Sequence, residues 1–314
     1  MRIAVFGAGS VGGYFGGRLA EAGQDVVFIS RGDHLKAIQR DGLRVDSTEG
    51  DFVVQPAQAS GDPAAVGPSD AILVAVKAWQ VPQAATAMRP LIGEETVVVP
   101  LQNGVEAPSQ LQAVLGNEPV LGGLCRIMSS IVEPGYIRHA GIDPYIAFGR
   151  LDTQRSKCAE RLRDAFSRTK GVRVEIPADI RVAIWRKFLL IAAWSGMGAL
   201  TRAPIGLIRR RPETRQMLKQ ALQEIHAVAV AHQVALPEEA VAEILAFIDT
   251  LPPQGTASMQ RDIIAGRPSE LASQSGAVVR LAQEAGVKVP MHTFIYQSLL
   301  LLEMQARGEA SIQS

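Results

Sequence analysis

Ile3-Ala4-Val5-Phe6-Gly7-Ala8-Gly9-Ser10-Val11-Gly12 decides the fold of this chain. Four apolar residues read as a short buried strand. Three glycines follow at the G-x-G-x-x-G spacing, Gly7, Gly9 and Gly12, and open a helix. Each has its own physical duty: Gly7 permits the tight turn, Gly9 lets backbone approach a pyrophosphate, and Gly12 lets helix and strand pack closely. The helix N-terminus then presents unpaired N–H groups and a positive dipole end to the phosphates. The spacing alone is weak evidence, and a glycine-rich turn without a ligand is the plain alternative. Here it follows an apolar strand and precedes a second one, Asp25-Val26-Val27-Phe28-Ile29. That context makes Gly7, Ala8, Gly9, Ser10, Val11 and Gly12 a dinucleotide-binding turn.

Outward from this turn, strand and helix alternate through the first half of the chain. Further strands are expected at Ala71–Val76 and Thr96–Leu101, with helices over Gly13–Ala22 and Gln80–Leu91. Strands apolar at every position belong in a parallel sheet covered on both faces. Shorter β-rich pieces, Ser129–Val132 and Tyr145–Phe148, look like a mixed extension of that sheet; Glu133-Pro134-Gly135-Tyr136 between them is a turn. The pattern changes near Lys170–Pro177. Beyond it the chain is helix-periodic: Asp179–Leu200, Glu213–Gln233, Glu238–Ile248, Met259–Ile264, Ser269–Ala285 and Met291–Ala306, with glycine or proline at each junction. The polar tail after Gly308 is expected to fray. The fold class is therefore an α/β Rossmann-type dinucleotide-binding domain, residues 1–176, followed by an all-α domain, residues 177–314.

Composition narrows the partners. With 47% hydrophobic and 20% charged residues and a formal net charge of +1, the chain lacks the basic excess that a nucleic acid or membrane surface requires. Its two cysteines, Cys125 and Cys158, make neither a disulfide framework nor a metal spacing. The first apolar run leads straight into the glycine turn and does not resemble a signal peptide. The longest apolar run, Phe188–Leu200, is shorter than the roughly 18–20 residues of a membrane span and reads as a core helix. A cytoplasmic protein with a small-molecule partner is expected; a homodimer is a candidate assembly.

The end of the second strand chooses the cofactor. NAD-preferring folds place a carboxylate there for the ribose hydroxyls. This chain has Ser30-Arg31-Gly32. A guanidinium and a hydroxyl attract a 2′-phosphate that a carboxylate would repel. NADPH/NADP+ is the expected cofactor, held by Ser30 and Arg31. A solvated loop arginine is the alternative, and Asp33 is near enough to meet a ribose.

Several side chains then stand out. Lys77 follows the third strand candidate, where the carboxyl ends of parallel strands line a ligand crevice; an ordinary strand-end charge is equally compatible. Gln102 and Asn103 follow the next strand, although Asn103-Gly104 is also a common turn pair. Lys187 sits among Ala183, Ile184, Leu190 and Ile191 at helical spacing. A lysine on an apolar face loses hydration, which lowers its pKa and suits it to proton transfer, unless it snorkels outward beside Arg186. Glu270 and Ser258 lie at expected helix starts, where an acid favours the dipole and a serine caps. Ser269 is a candidate cap. The five histidines, His34, His139, His226, His232 and His292, form no metal pattern and receive no role.

Together these residues resemble the ketopantoate reductase (2-dehydropantoate 2-reductase) family. The likeness runs through the glycine turn, Val76-Lys77-Ala78-Trp79-Gln80-Val81, Gln102-Asn103-Gly104, Ile184-Trp185-Arg186-Lys187, and Ser258-Met259-Gln260-Arg261-Asp262 with Glu270 beyond. The resemblance implies NADPH-dependent reduction of a 2-oxo acid to a 2-hydroxy acid, most specifically 2-dehydropantoate to (R)-pantoate in pantothenate biosynthesis. It implies Lys187 as general acid, Glu270 on the substrate hydroxyl, and Asn103 positioning the lysine and the substrate. It also places Lys77 near the cofactor and Ser258 on the substrate carboxylate; Gln102 and Asn103 are candidate cofactor contacts by their place at a strand's carboxyl end. Well-known members carry asparagines four and eight residues after the lysine. Here those positions are Ile191 and Ser195, the latter retained as a substrate contact. A more apolar 2-oxo acid is therefore a rival substrate, and a non-catalytic NADP(H)-binding sensor is the reading from another class.

Overall fold

The computed structural model describes residues 1–310, so the tail expectation for 311–314 lies outside the described residues. The chain divides into two compact units. Unit 1 is Met1–Gln102 with Ala107–Ile180, and unit 2 is Asn103–Glu106 with the chain from Arg181 onward.

Unit 1 runs β1 (Arg2–Phe6), α1 (Ser10–Glu21), β2 (Asp25–Ile29), α2 (Gly32–Asp41), β3 (Leu43–Ser47), β4 (Phe52–Val54), β5 (Gln58–Ser60), β6 (Ala71–Val74), α3 (Val81–Ala87), β7 (Val97–Pro100), α4 (Ala107–Leu115), β8 (Gly122–Arg126), β9 (Ser129–Glu133), β10 (Tyr136–His139), β11 (Tyr145–Gly149), α5 (Lys157–Phe166) and β12 (Arg173–Glu175). The main sheet has the order β5-β2-β1-β6-β7, and every pair in it is parallel. Because side chains alternate across a strand, the sheet divides the unit into two cores. Ile3, Val5, Phe28 and Leu73 pack with Tyr14, Phe15 and Leu19 of α1 on one face. Ala4, Phe6, Ile72 and Val98 pack with Val81, Met88 and Leu111 on the other. Burial on both faces explains the unbroken apolar runs. The order reverses at β1, which places the glycine turn at the switch point, where ligands of such sheets bind beyond the carboxyl ends.

The expected extension of this sheet is replaced by two smaller ones, β4-β3-β10-β9 and β12-β11-β8. β10 runs parallel to β3, so β9 is drawn to the edge of a sheet founded on residues after α2. The strand expected to reach Val76 stops at Val74, which leaves Lys77 three residues past its end. Cys125 and Cys158 are both buried and not joined.

Unit 2 runs α6 (Ile180–Thr201), α7 (Ile205–Arg210), α8 (Pro212–Ala231), α9 (Ala240–Thr250), α10 (Ser258–Ile264), α11 (Ser275–Ala285) and α12 (Pro290–Ala306), where α6 starts at the last residue of unit 1. Phe188, Leu189, Ala192, Ala193 and Met197 of α6 pack with Leu218, Leu222, Ile225 and Val228 of α8 and Ile295 and Leu299 of α12. Truncating such a core residue to alanine costs about 2–5 kcal/mol. Among the described residues no helix is long and apolar enough to cross a membrane.

Two buried acids fix the helix starts. Glu224 accepts the N–H groups of Met291 (2.8 Å) and His292 (2.9 Å) and thereby caps α12. Glu303 accepts from the N–H (3.0 Å) and hydroxyl (2.5 Å) of Ser269. Ser269 Oγ in turn accepts the Leu271 N–H at 3.2 Å and closes a local turn. The helix expected from Ser269 begins at Ser275, and residues 271–274 form a turn.

Candidate functional site

The glycine turn has the sterics its spacing requires. Gly7 has φ +101°, and a Cβ there would stand 2.8 Å from the Val76 nitrogen. At Gly12 a Cβ would meet Val5 Cγ1 and Ala75 Cβ, each at 2.9 Å. At Gly9 it would meet nothing within 4 Å. Two of the glycines are thus needed by the protein's own packing, and the third faces open space. The N–H groups of Gly7 and Ala8 donate to the Ile29 carbonyl (3.0 and 3.3 Å), which ties the turn to the end of β2. The first turn of α1 contains no acid and no capping side chain. Its N–H groups at Ser10, Val11 and Gly12 have no intrahelical acceptors, so the arrangement fits a pyrophosphate.

Ser30 is half-buried at the end of β2, and its N–H donates to the Ser60 carbonyl at 3.1 Å. Arg31 is exposed, and its guanidinium has no partner among the described residues. Asp33 instead turns to Lys36 at 3.1 Å, an exposed pair of small energetic weight. A guanidinium free of protein anions beside a hydroxyl fits a 2′-phosphate. Lys77 is exposed, its Nζ 5.8 Å from the Trp79 ring centroid. Gln102 is buried, and its Nε2 donates to the carbonyls of Val74 and Val76, both at 2.9 Å. Its amide hydrogens therefore serve the end of β6, and only the unpartnered Oε1 remains to accept a bond.

A residue without a sequence-level role also enters here. His34 Nε2 lies 2.8 Å from the Ala8 carbonyl, and its Nδ1 accepts from the Gly135 N–H at 3.1 Å. With Nδ1 accepting, Nε2 carries the proton and donates to the glycine turn. The imidazole thus braces the glycine turn from α2. Nothing in its spacing announces this, because its partners are backbone atoms distant in sequence.

Unit 2 brings together Asn103 and Glu270, 167 residues apart: Asn103 Nδ2 donates to Glu270 Oε2 at 3.0 Å. Glu270 is 8% exposed and precedes α11, so it is not a first-turn acid of that helix. Gln274 Nε2 donates to the same oxygen at 3.3 Å. Lys187 is half-buried, in a stripe with the half-buried Ala183, Leu190, Ile191 and Trp194. It has no hydrogen bond or ion pair among the described residues, whereas its neighbour Arg186 pairs with Glu243. An ammonium in apolar surroundings without a protein anion is available to a ligand oxygen.

The two expected serine contacts differ in exposure. Ser195 is only 2% exposed. Eight residues carry it about 80° round the helix from Lys187, into the core. Ser258 is exposed as the first residue of α10, and the cap position belongs to Ala257.

Comparison with known proteins identifies the family. The sequence model described as ketopantoate reductase PanE/ApbA matches residues 3–153, and its C-terminal counterpart matches residues 179–303. An uncharacterized oxidoreductase, YkpB, of Bacillus subtilis is 31% identical over 97% of this chain and 100% of its own. A 2-dehydropantoate 2-reductase of Nostoc sp. is 28% identical over 100% of this chain and 99% of its own. The crystal structure of a PanE/ApbA family ketopantoate reductase from Ralstonia eutropha superposes with a TM-score of 0.88 at 32% identity, covering 98% of this chain and 100% of that one. The chain belongs to the ketopantoate reductase family, nicotinamide-dependent oxidoreductases acting on a CH–OH group.

Proposed function

We propose that this chain reduces a 2-oxo acid to the 2-hydroxy acid with NADPH, and that 2-dehydropantoate is its substrate. The observation that carries this reading is the Asn103–Glu270 pair, which sets a buried carboxylate with one engaged and one available oxygen. A carboxylate so held accepts a hydrogen bond from a substrate hydroxyl, the group that distinguishes 2-dehydropantoate from simpler 2-oxo acids. The names of the relatives point to the same substrate.

In this reading the turn Gly7–Gly12 holds the pyrophosphate, and Ser30 and Arg31 hold the 2′-phosphate. Lys77 adds positive charge near the cofactor, and Gln102 braces the end of β6. The reduced nicotinamide, when bound, supplies the hydride to the substrate's C2. As negative charge grows on the ketone oxygen, the Lys187 ammonium donates to it and then gives up its proton. Glu270 grips the hydroxyl at the far end and so aims the correct carbonyl. Ser258, on the exposed end of α10, meets the substrate carboxylate.

The test is loss of NADPH absorbance on adding 2-dehydropantoate. Lys187→Ala should bind NADPH as the parent does and lose turnover by about 100-fold or more. Near-normal turnover in that variant would defeat the assignment. One observation favours a second reading: Leu190, Ile191 and Trp194 give the neighbourhood of Lys187 an apolar lining. A 2-oxo acid with an apolar tail suits that lining, and kinetics over a panel of 2-oxo acids separates the two readings.

A further inference from the structure

Residues 270–274 form a single turn before α11. The Gln274 N–H donates to the Glu270 carbonyl at 3.0 Å, and Ser273 Oγ donates to the same carbonyl at 3.1 Å. This turn stacks the side chains of Glu270 and Gln274 at i and i+4, where they meet. Both Gln274 Nε2 (3.3 Å) and Asn103 Nδ2 (3.0 Å) point at Glu270 Oε2. No described residue donates to Oε1. The carboxylate cannot rotate without breaking both bonds, so one oxygen is fixed as the engaged one.

Gln274 is 1% exposed, and its own Oε1 has no hydrogen-bond partner. A buried acceptor left unpaired is unfavourable, and an apolar side chain of the same length would avoid it. Turning the amide over would set that oxygen against the carboxylate, so the NH2 is held toward Glu270. The orphaned oxygen is thus the cost of placing a second donor on Glu270.

We propose that Gln274 is a positioning residue for substrate recognition. With Asn103 it clamps Glu270 Oε2 and so presents Oε1 as a single acceptor for the hydroxyl on the non-reacting end of the substrate, an inference that rests on the 2-oxo acid reading above. The reductase therefore distinguishes a hydroxylated 2-oxo acid from the same acid without its hydroxyl through a residue that touches neither.

The experiment compares the two acids in the full-length enzyme and in Gln274→Met. The ratio of kcat/KM for 2-dehydropantoate to that for the acid lacking the hydroxyl should fall about tenfold, with the change in KM. A purely structural role would weaken both acids alike, and an unchanged ratio overturns the proposal. Where Gln274→Met fails to fold, Gln274→Asn keeps the amide, shortens its reach and carries the same comparison. A crystal structure of the variant separates the clamp from the substrate reading. Parent enzyme that reduces neither acid removes the 2-oxo acid reading, and the clamp is then judged on Glu270. A carboxylate swung off Asn103 or split between rotamers supports the clamp; an unchanged rotamer overturns it.

Discussion

Unit 1 and unit 2 assemble their candidate residues in opposite ways. In unit 1 the groups that fit the cofactor are backbone: a turn with φ +101° at Gly7, open space over Gly9, and unpaired N–H groups at the start of α1. Ser30, Arg31, Lys77 and Gln102 are the candidate side chains there. In unit 2 the candidate groups are side chains from distant positions: Asn103 and Gln274 on one oxygen of Glu270, and Lys187 on α6. A backbone site needs a local motif and tolerates change around it. A side-chain site needs the whole unit to fold before its members meet.

The largest expected effect tests the backbone half. Gly9→Val adds bulk where the protein has none within 4 Å, so the melting temperature should hold. NADPH affinity, measured by calorimetry, should fall about 100-fold or more, equivalent to about 3 kcal/mol. A variant that still binds NADPH normally would break the comparison, because the turn would then not be the phosphate site. A smaller effect sharpens it: Arg31→Ala removes a charged partner worth about 1.5–3 kcal/mol, so NADPH binding should weaken about 10- to 100-fold while NADH binding barely moves. Equal losses for both cofactors would refute the 2′-phosphate role.

The smallest effect lies in unit 2. His292 is fully buried, its Nε2 3.1 Å from the Ala221 carbonyl, and burial pushes its pKa down to about 4 from an ordinary 6.5. Between these values the unfolded chain binds a proton that the folded chain refuses. The contribution is therefore complete above pH 6.5 and drains away as pH falls toward 4. Glu224, raised by burial, acts in the opposite sense over the carboxylate range. Comparing melting temperatures of the parent and His292→Gln isolates the imidazole. The parent should lose more stability than the variant on acidification, and parallel curves would show that His292 does not set the acid limit.

The contrast also explains what was legible. Gly7, Gly9 and Gly12 are readable because strand, turn and helix are consecutive, and a period of all-apolar residues identifies β1, β2, β6 and β7. The strand β3 is not: its pattern, Leu43-Arg44-Val45-Asp46-Ser47, is short and half polar, and it pairs with its hairpin neighbour β4 and with β10, distant in sequence. Lys187 was visible from its apolar helical neighbours. Ser195, a substrate contact only through the family resemblance, is 2% exposed and about 80° round the helix from Lys187, which spacing alone does not announce. Gln274 was hidden inside an apparently continuous helix. The helix in fact begins at Ser275, and upstream of it Ser269 donates to Glu303 of α12. Sequence spacing reports local geometry, and it is silent about a carboxylate recruited from another helix.

The assignment of Asn103–Glu106 to unit 2, with unit 1 on both sides of it in sequence, bears on any attempt to dissect the molecule. The chain passes between the units three times, so neither corresponds to one uninterrupted stretch of coding sequence. A truncation starting at residue 177 would produce the helices without Asn103, and Glu270 would be left with Gln274 as its sole amide donor. Functional separation of the two halves therefore calls for a grafted segment or a permuted chain, and a simple cut would remove part of the chemistry it was meant to isolate.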